Sequence, residues 1–171
     1  MSNLIITLSK EDIARCKQAA ALRWQLARAS GVVNQRKDTD STDNDLDYLG
    51  LKAELAVAKA FGTEFRPENF GIDSGVDMFI DSIGIDVKAT FHNQGHLLFK
   101  SLDAFKADLA ILVTATDSDN AMKIAGWISR DRFLNTAVQK DFGKGDCYVI
   151  PQNQLANIED LWLKMTGKKY A

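Results

Sequence analysis

The apolar pattern of the chain predicts an α/β layer protein, a mixed β-sheet with helices packed on it. Three observations carry that expectation. Helical periodicity dominates the first third, period-two alternation begins near Met78, and short strand runs then interleave with helices to the end.

The elements follow in order. Ser9, with Glu11 and Asp12 behind it, reads as a helix start and Gly31 as its stop. Between them Ile13, Cys16, Ala20, Trp24 and Ala27 recur at helical spacing. Residues 34–45 are polar without apolar periodicity, so a loop, flexible or disordered, is expected there. A second helix runs from about Leu46 to Phe61 and stops at Gly62, and the two prolines, Pro67 and Pro151, fall between elements. Met78-Phe79-Ile80 and Ile83 to Ala89 read as strands joined in a hairpin around Asp81 to Gly84. His96 to Phe99 is expected as a third strand. Leu109 to Ala115 is a buried-strand run closed by the turn Asp117-Ser118-Asp119-Asn120, and Met122 to Ile128 is a strand hairpinned to it. Ser129 caps a helix expected to reach about Val138. Cys147 to Ile150 makes a last strand, and a helix with Leu155, Ile158, Leu161, Trp162 and Met165 closes the chain.

The bulk composition narrows the function classes. The chain has 171 residues, 46% hydrophobic and 26% charged, which suits one domain over residues 1–171 with a real core. Cys16 and Cys147 are too few for a zinc quartet and a poor disulfide framework, so a reducing, cytoplasmic setting is expected. Leu4-Ile5-Ile6 is too short for a signal-peptide core and nothing approaches a membrane span. The formal net charge of −2 excludes an overall field that would recruit nucleic acid; local Lys and Arg clusters must do it.

The chemistry concentrates on one strand. Along Ile83 to Thr90 side chains alternate, so Ile83, Ile85, Val87 and Ala89 face the core while Asp86, Lys88 and Thr90 line the other side. A two- or four-residue loop within Asp81 to Gly84 sets Phe79 opposite Asp86 and Asp77 opposite Lys88, and opposed residues share a face. A three-residue loop would flip that register. On the second helix Glu54 points nearly opposite Lys52 and Lys59, among Leu51, Ala58 and Phe61. A carboxylate on an apolar face is costly unless paired or metal-bound.

Such residues suit phosphodiester hydrolysis. Carboxylates are hard oxygen ligands for magnesium, which binds through a few of them plus water and substrate phosphate. An ammonium beside carboxylates suits electrostatic stabilisation of developing negative charge better than general-base work. An acidic-x-Lys tripeptide alone is weak, since about one or two arise by chance in such a composition. A surface salt bridge on an edge strand is the better account of the tripeptide alone, and an arginine partner would account for Glu54. The ordered set of helix glutamate, hairpin aspartate and strand Asp-x-Lys is what carries the signal.

In these residues the chain resembles the PD-(D/E)XK, or restriction-endonuclease-like, nuclease superfamily. The pattern stands here as Gly50-Leu51-Lys52-Ala53-Glu54, Gly75-Val76-Asp77 and Ile85-Asp86-Val87-Lys88-Ala89-Thr90. It continues weakly in Asp108 to Val113, Ile124 to Ile128 and Tyr148 to Pro151, covering about residues 46 to 155. The resemblance implies a restriction-endonuclease-like core that cleaves DNA with Mg2+ or Mn2+, most simply as an endonuclease. It implies that Asp77, Asp86 and the Val87 carbonyl hold the metal, that Glu54 contributes directly or through water, and that Lys88 is catalytic. The superfamily proline before the first aspartate is replaced by Val76, and Asp73 is a rival for that aspartate.

Other features carry two readings each. His92 and His96 flank Asn93-Gln94-Gly95 as a polar loop that touches substrate or is simply solvated. Arg15, Lys17, Arg23 and Arg28, with Arg36 and Lys37, form either a phosphate-binding cluster or a solvated helix face. Lys164, Lys168 and Lys169 read as a frayed basic end, and Trp127 and Trp162 as core. With no room for a separate recognition domain, specificity is expected to be weak or to come from a homodimer or a partner. The rivals are a non-catalytic nucleic-acid-binding module on the same fold and a protein-binding regulator that uses the acidic loop.

Overall fold

The computed structural model describes residues 4–29, 43–67 and 75–167. The chain opens with strand β1 (Leu4–Thr7), followed by helix α1 (Lys10–Ala29). Ser9 and Asp12 cap that helix reciprocally: the Ser9 N–H donates to Asp12 Oδ2 at 2.9 Å and the Asp12 N–H to Ser9 Oγ at 3.1 Å. Helix α2 spans Asp43–Phe61. It begins three residues inside the stretch 34–45 expected as a loop, because Asp45 and Asp47 place negative charge at the positive end of the helix dipole. The remainder of that stretch lies outside the described residues, as do Gly31, Arg36, Lys37, Asp73, Lys168 and Lys169.

Strands β2 (Met78–Ile80), β3 (Ile83–Thr90), β5 (Leu109–Ala115) and β6 (Ala121–Ser129) join β1 in a five-stranded sheet of order β1-β6-β5-β3-β2. β3 and β5 run parallel and the other pairs antiparallel, so the sheet is mixed. Strands β4 (His96–Phe99), β7 (Val138–Asp141) and β8 (Asp146–Pro151) form a separate antiparallel sheet of order β4-β8-β7. Helices α3 (Arg130–Thr136) and α4 (Ile158–Thr166) complete the chain. Among the described residues no helix is long and apolar enough to cross a membrane.

The five-stranded sheet is covered on both faces. One cluster joins Leu51, Ala53 and Val57 of α2 and Cys16 of α1 to Ile85, Ile111, Val113 and Ile124. The other joins Leu97 and Phe99 of β4, Phe105 and Phe133 to Ala110, Leu112 and Ile128. Alternate residues of β5 serve opposite clusters, which is why its sequence is an unbroken apolar run. α2 is buried almost all round, and even Lys52 is only 6% exposed. Its Nζ donates to Asp119 Oδ1 at 2.8 Å and to the Asp119 carbonyl at 3.1 Å, while the Tyr48 hydroxyl donates to Asp119 Oδ2 at 2.9 Å. The turn between β5 and β6 is thereby latched to the helix, and Lys52 does not sit on a solvated face.

Other local expectations are corrected by long-range contacts. β1 has no counterpart in the sequence reading, since only Leu4 and Ile6 are buried and its partner β6 lies far along the chain. α3 ends at Thr136 rather than near Val138, where the chain becomes β7, an exposed edge strand held by pairing to β8. β4 joins the second sheet instead of extending the hairpin. Trp24 is 36% exposed, with the Arg28 guanidinium 4.6 Å from its ring centroid, because only the first half of α1 is packed down.

Candidate active site

The hairpin between β2 and β3 sets the geometry. Its turn is the pair Asp81-Ser82, with Asp81 at φ 53, a left-handed conformation that aspartate tolerates. Met78 opposes Ile85, Phe79 opposes Gly84 and Ile80 opposes Ile83. This turn is closer to β2 than the sequence suggested, so Phe79 does not face Asp86. Continuing the register brings Asp77 abreast of Asp86 rather than Lys88. A slip of two residues preserves the alternation of faces, so Asp77 still arrives beside the Asp86–Lys88 pair. The Asp77 N–H donates to the Ile85 carbonyl at 2.8 Å, and its Oδ2 accepts the Val87 N–H at 2.6 Å. Asp108 ties the hairpin to β5 by accepting the Gly84 N–H at 2.7 Å.

Asp86 is 4% exposed, and Lys88, two residues on and on the same face, engages both its oxygens. Lys88 Nζ lies 2.7 Å from Oδ1 and 3.0 Å from Oδ2, and 4.6 Å from the centroid of Phe99. The ammonium is thus held between a buried carboxylate and an aromatic face, with its side chain still 36% exposed.

Glu54 reaches the same place from α2. Its side chain is 16% exposed, with Oε1 3.9 Å from Nη1 of Arg23 on α1. Burial pushes its carboxyl up to about 7, the Asp77 charge adds to the rise, Arg23 opposes it, Asp86 raises it further and Lys88 lowers it. Asp77, Asp86 and Lys88 therefore each act electrostatically on Glu54.

The donor chemistry is that of a hard divalent cation's oxygen ligands: Asp86 is buried, Glu54 is largely buried, and Asp77 is exposed beside Asp86. Asp77 and Asp86 would hold such an ion with the Val87 carbonyl and Glu54. Among the described residues, however, no three His, Cys, Asp or Glu side chains stand close enough to form a ready-made metal cluster. Asp86 is turned onto Lys88, and Asp77 onto the Val87 N–H.

The raised Glu54 carboxyl has a measurable consequence. Between its ordinary 4.5 and about 7, the folded chain keeps a proton that the unfolded chain has lost. Stability therefore falls as pH rises through that window, by an amount on the order of 3 kcal/mol once Glu54 is fully ionised. In chelator, Glu54→Gln is expected to raise the melting temperature at pH 8 and leave it nearly unchanged at pH 4, below the window. Equal shifts at both pH values in thermal melts would contradict this.

The remaining sequence candidates are dispersed. Arg15 Nη2 donates to the Phe65 carbonyl at 3.3 Å, Lys17 lies over Tyr48, Arg23 faces Glu54 and Arg28 stacks on Trp24, so α1 presents no single basic patch. His92 and His96 make no metal pair: the His92 N–H donates to Thr90 Oγ1 at 3.2 Å, and His96 packs edge-on to Phe142. Trp127 is half-buried and donates from Nε1 to the Asn157 carbonyl at 3.0 Å, while Trp162 packs on Phe61. Lys123 is the polar residue the sequence reading passed over. The available signal was a lysine between Met122 and Ile124 in an otherwise apolar strand. Compared with protein-family models, curated proteins and solved structures, the chain matches none of them.

Proposed function

We propose that this chain is a magnesium- or manganese-dependent deoxyribonuclease, acting as an endonuclease on a restriction-endonuclease-like core. The observation that carries the reading is the placement of Asp77 beside the Asp86–Lys88 pair in the middle of β3, with Glu54 within electrostatic reach of all three. Structural ion pairs account for Asp86 with Lys88 and for Glu54 with Arg23, but not for Asp77, which arrives beside Asp86 from the start of β2. DNA as substrate follows from the family resemblance of those residues.

Asp77 and Asp86, with the Val87 carbonyl and with Glu54 directly or through a water, would hold the ion, which would supply Lewis-acid charge toward a water and the phosphate. Asp86 positions Lys88, whose ammonium stabilises negative charge as it develops on the scissile phosphate. Arg23 holds Glu54 in place from α1.

Incubation of the purified chain with supercoiled plasmid, linear duplex and single strands, each with Mg2+, Mn2+ or chelator, tests the proposal. Metal-dependent nicking or linearisation of the plasmid is expected. Intact substrates under every condition would overturn it.

A second reading has its own observation. The carboxylates are turned onto Lys88 and a backbone N–H rather than gathered as a cluster. A non-catalytic nucleic-acid-binding module would look the same. It predicts retention of DNA without cleavage, whereas a protein-binding module predicts neither.

A further inference from the structure

The polar residues on the Asp86–Lys88 face do not stop at β3. Thr90 follows Lys88 on the same face. It stands opposite Thr114 of β5, Thr114 stands opposite Lys123 of β6, and Lys123 opposite Ile5 of β1. Opposed residues share a face and neighbouring strands lie about 5 Å apart, so Thr90, Thr114 and Lys123 form a row across the sheet. The row ends at Ile5, which is 56% exposed, where the apolar cover of this face has run out.

Two members of the row are unusual in their burial. Thr114 is fully buried, and its hydroxyl has no hydrogen-bond partner. Lys123 is 9% exposed, and its Nζ donates to the Asn93 side-chain oxygen at 2.8 Å. An amide dipole offsets little of the cost of burying an ammonium, and an unpaired hydroxyl adds to it. One anion in contact with both would relieve both. The cover over the row is the loop 91–95, which closes tightly on Thr90: a Cβ at Gly95 would stand 2.6 Å from Thr90 Cγ2. Asn93 itself is exposed, so its amide can yield to an incoming ligand.

We infer that Lys123 and Thr114, covered by Asn93, form an anion subsite that takes a phosphate of the same nucleic-acid strand whose cleaved phosphate sits at Asp86 and Lys88. The identity of the strand rests on the nuclease reading; the affinity for phosphate does not. In the resting chain Asn93 occupies the Lys123 ammonium. The phosphate displaces it, accepting from Lys123 Nζ and from the Thr114 hydroxyl together. The loop that carries Asn93 then moves with substrate, beside the reacting group.

Inorganic phosphate titrated into the isotope-labelled chain, in chelator, provides the test. Backbone signals of Asn93, Thr114 and Lys123 are expected to shift together. Lys123→Met should weaken the effect at least tenfold, and Lys123→Arg should keep it. Thr114→Val separates this from a structural role: it should weaken phosphate binding while raising the Tm, since it removes an unsatisfied buried hydroxyl. With a single-stranded oligonucleotide, Lys123→Met should flatten the dependence of log affinity on log salt by about 0.7. Phosphate shifts elsewhere on the surface, or shifts unchanged in both Lys123→Met and Thr114→Val, would overturn the subsite. Cleavage by the parent chain with no phosphate effect at Lys123 defeats the subsite alone. Phosphate bound at Lys123 without cleavage of any nucleic acid defeats the nuclease reading alone.

Discussion

Lys88→Ala is expected to lower the rate of DNA cleavage by on the order of a hundred-fold or more, with nucleic-acid affinity nearly kept. An interaction that strengthens only as the phosphate gains charge contributes to turnover far more than to binding. The same substitution carries a stability signature set by the geometry of the pair. Asp86 is 4% exposed and both its oxygens rest on Lys88 Nζ, so truncating the lysine removes a cationic partner from a buried carboxylate. In chelator, Lys88→Ala should therefore be destabilised by about 2 kcal/mol, the scale of a hydrogen bond to a charged group. Manganese should restore much of that loss, because the ion supplies the missing positive charge. Cleavage assays and thermal melts with and without manganese read both effects. A variant that melts earlier, is not rescued by manganese and cleaves as well as the parent would make the pair a structural salt bridge.

Asp77→Ala and Asp86→Ala are each expected to abolish manganese binding and cleavage. A site built from so few carboxylates has no spare ligand to take over. The two variants should differ in how they affect the fold. Asp86→Ala frees an ammonium that is 36% exposed and can turn to water, so its loss in chelator should be smaller than that of Lys88→Ala. Asp77→Ala removes the side-chain acceptor of the Val87 N–H and loosens the start of β2 against β3. Calorimetric titration of manganese into each variant checks the assignment. Unchanged affinity in both would remove the metal from the site and leave the binding-module reading as the better one.

Much of this was legible in the residues themselves. Periodicity marks α1, α2 and the strands β2, β3, β5 and β6, because each element buries a face whose spacing repeats within a few residues. The alternation of Ile85, Val87 and Ala89 with Asp86, Lys88 and Thr90 is a local property of an extended chain, and so is the turn propensity of Asp81 and Ser82. These alone predict that Asp86 and Lys88 share a face and that Asp77 arrives beside them. The turn lies one residue earlier and the register differs by two, and Asp77 still shares a face with Asp86 and Lys88 because side-chain faces repeat every two.

Contacts between distant segments decided the rest. β1 and β7 exist because β6 and β8 offer them backbone partners, and neither segment advertises that in four residues of its own sequence. Lys52, which shares a helix face with the exposed Lys59, is buried where Asp119 arrives from the turn between β5 and β6 to meet it. Arg23 became the partner of Glu54 only through the packing of α1 on α2. The row of Thr90, Thr114 and Lys123 likewise needs three strands in register, with the β5–β6 pairing shifted where Leu112 and Val113 oppose Gly126 and Ile124. The sequence by itself determined which side chains share a face within each element, since that follows from backbone geometry. Which faces meet, and so which charges are buried together, was decided by tertiary packing, because burial and pairing depend on residues far apart along the chain.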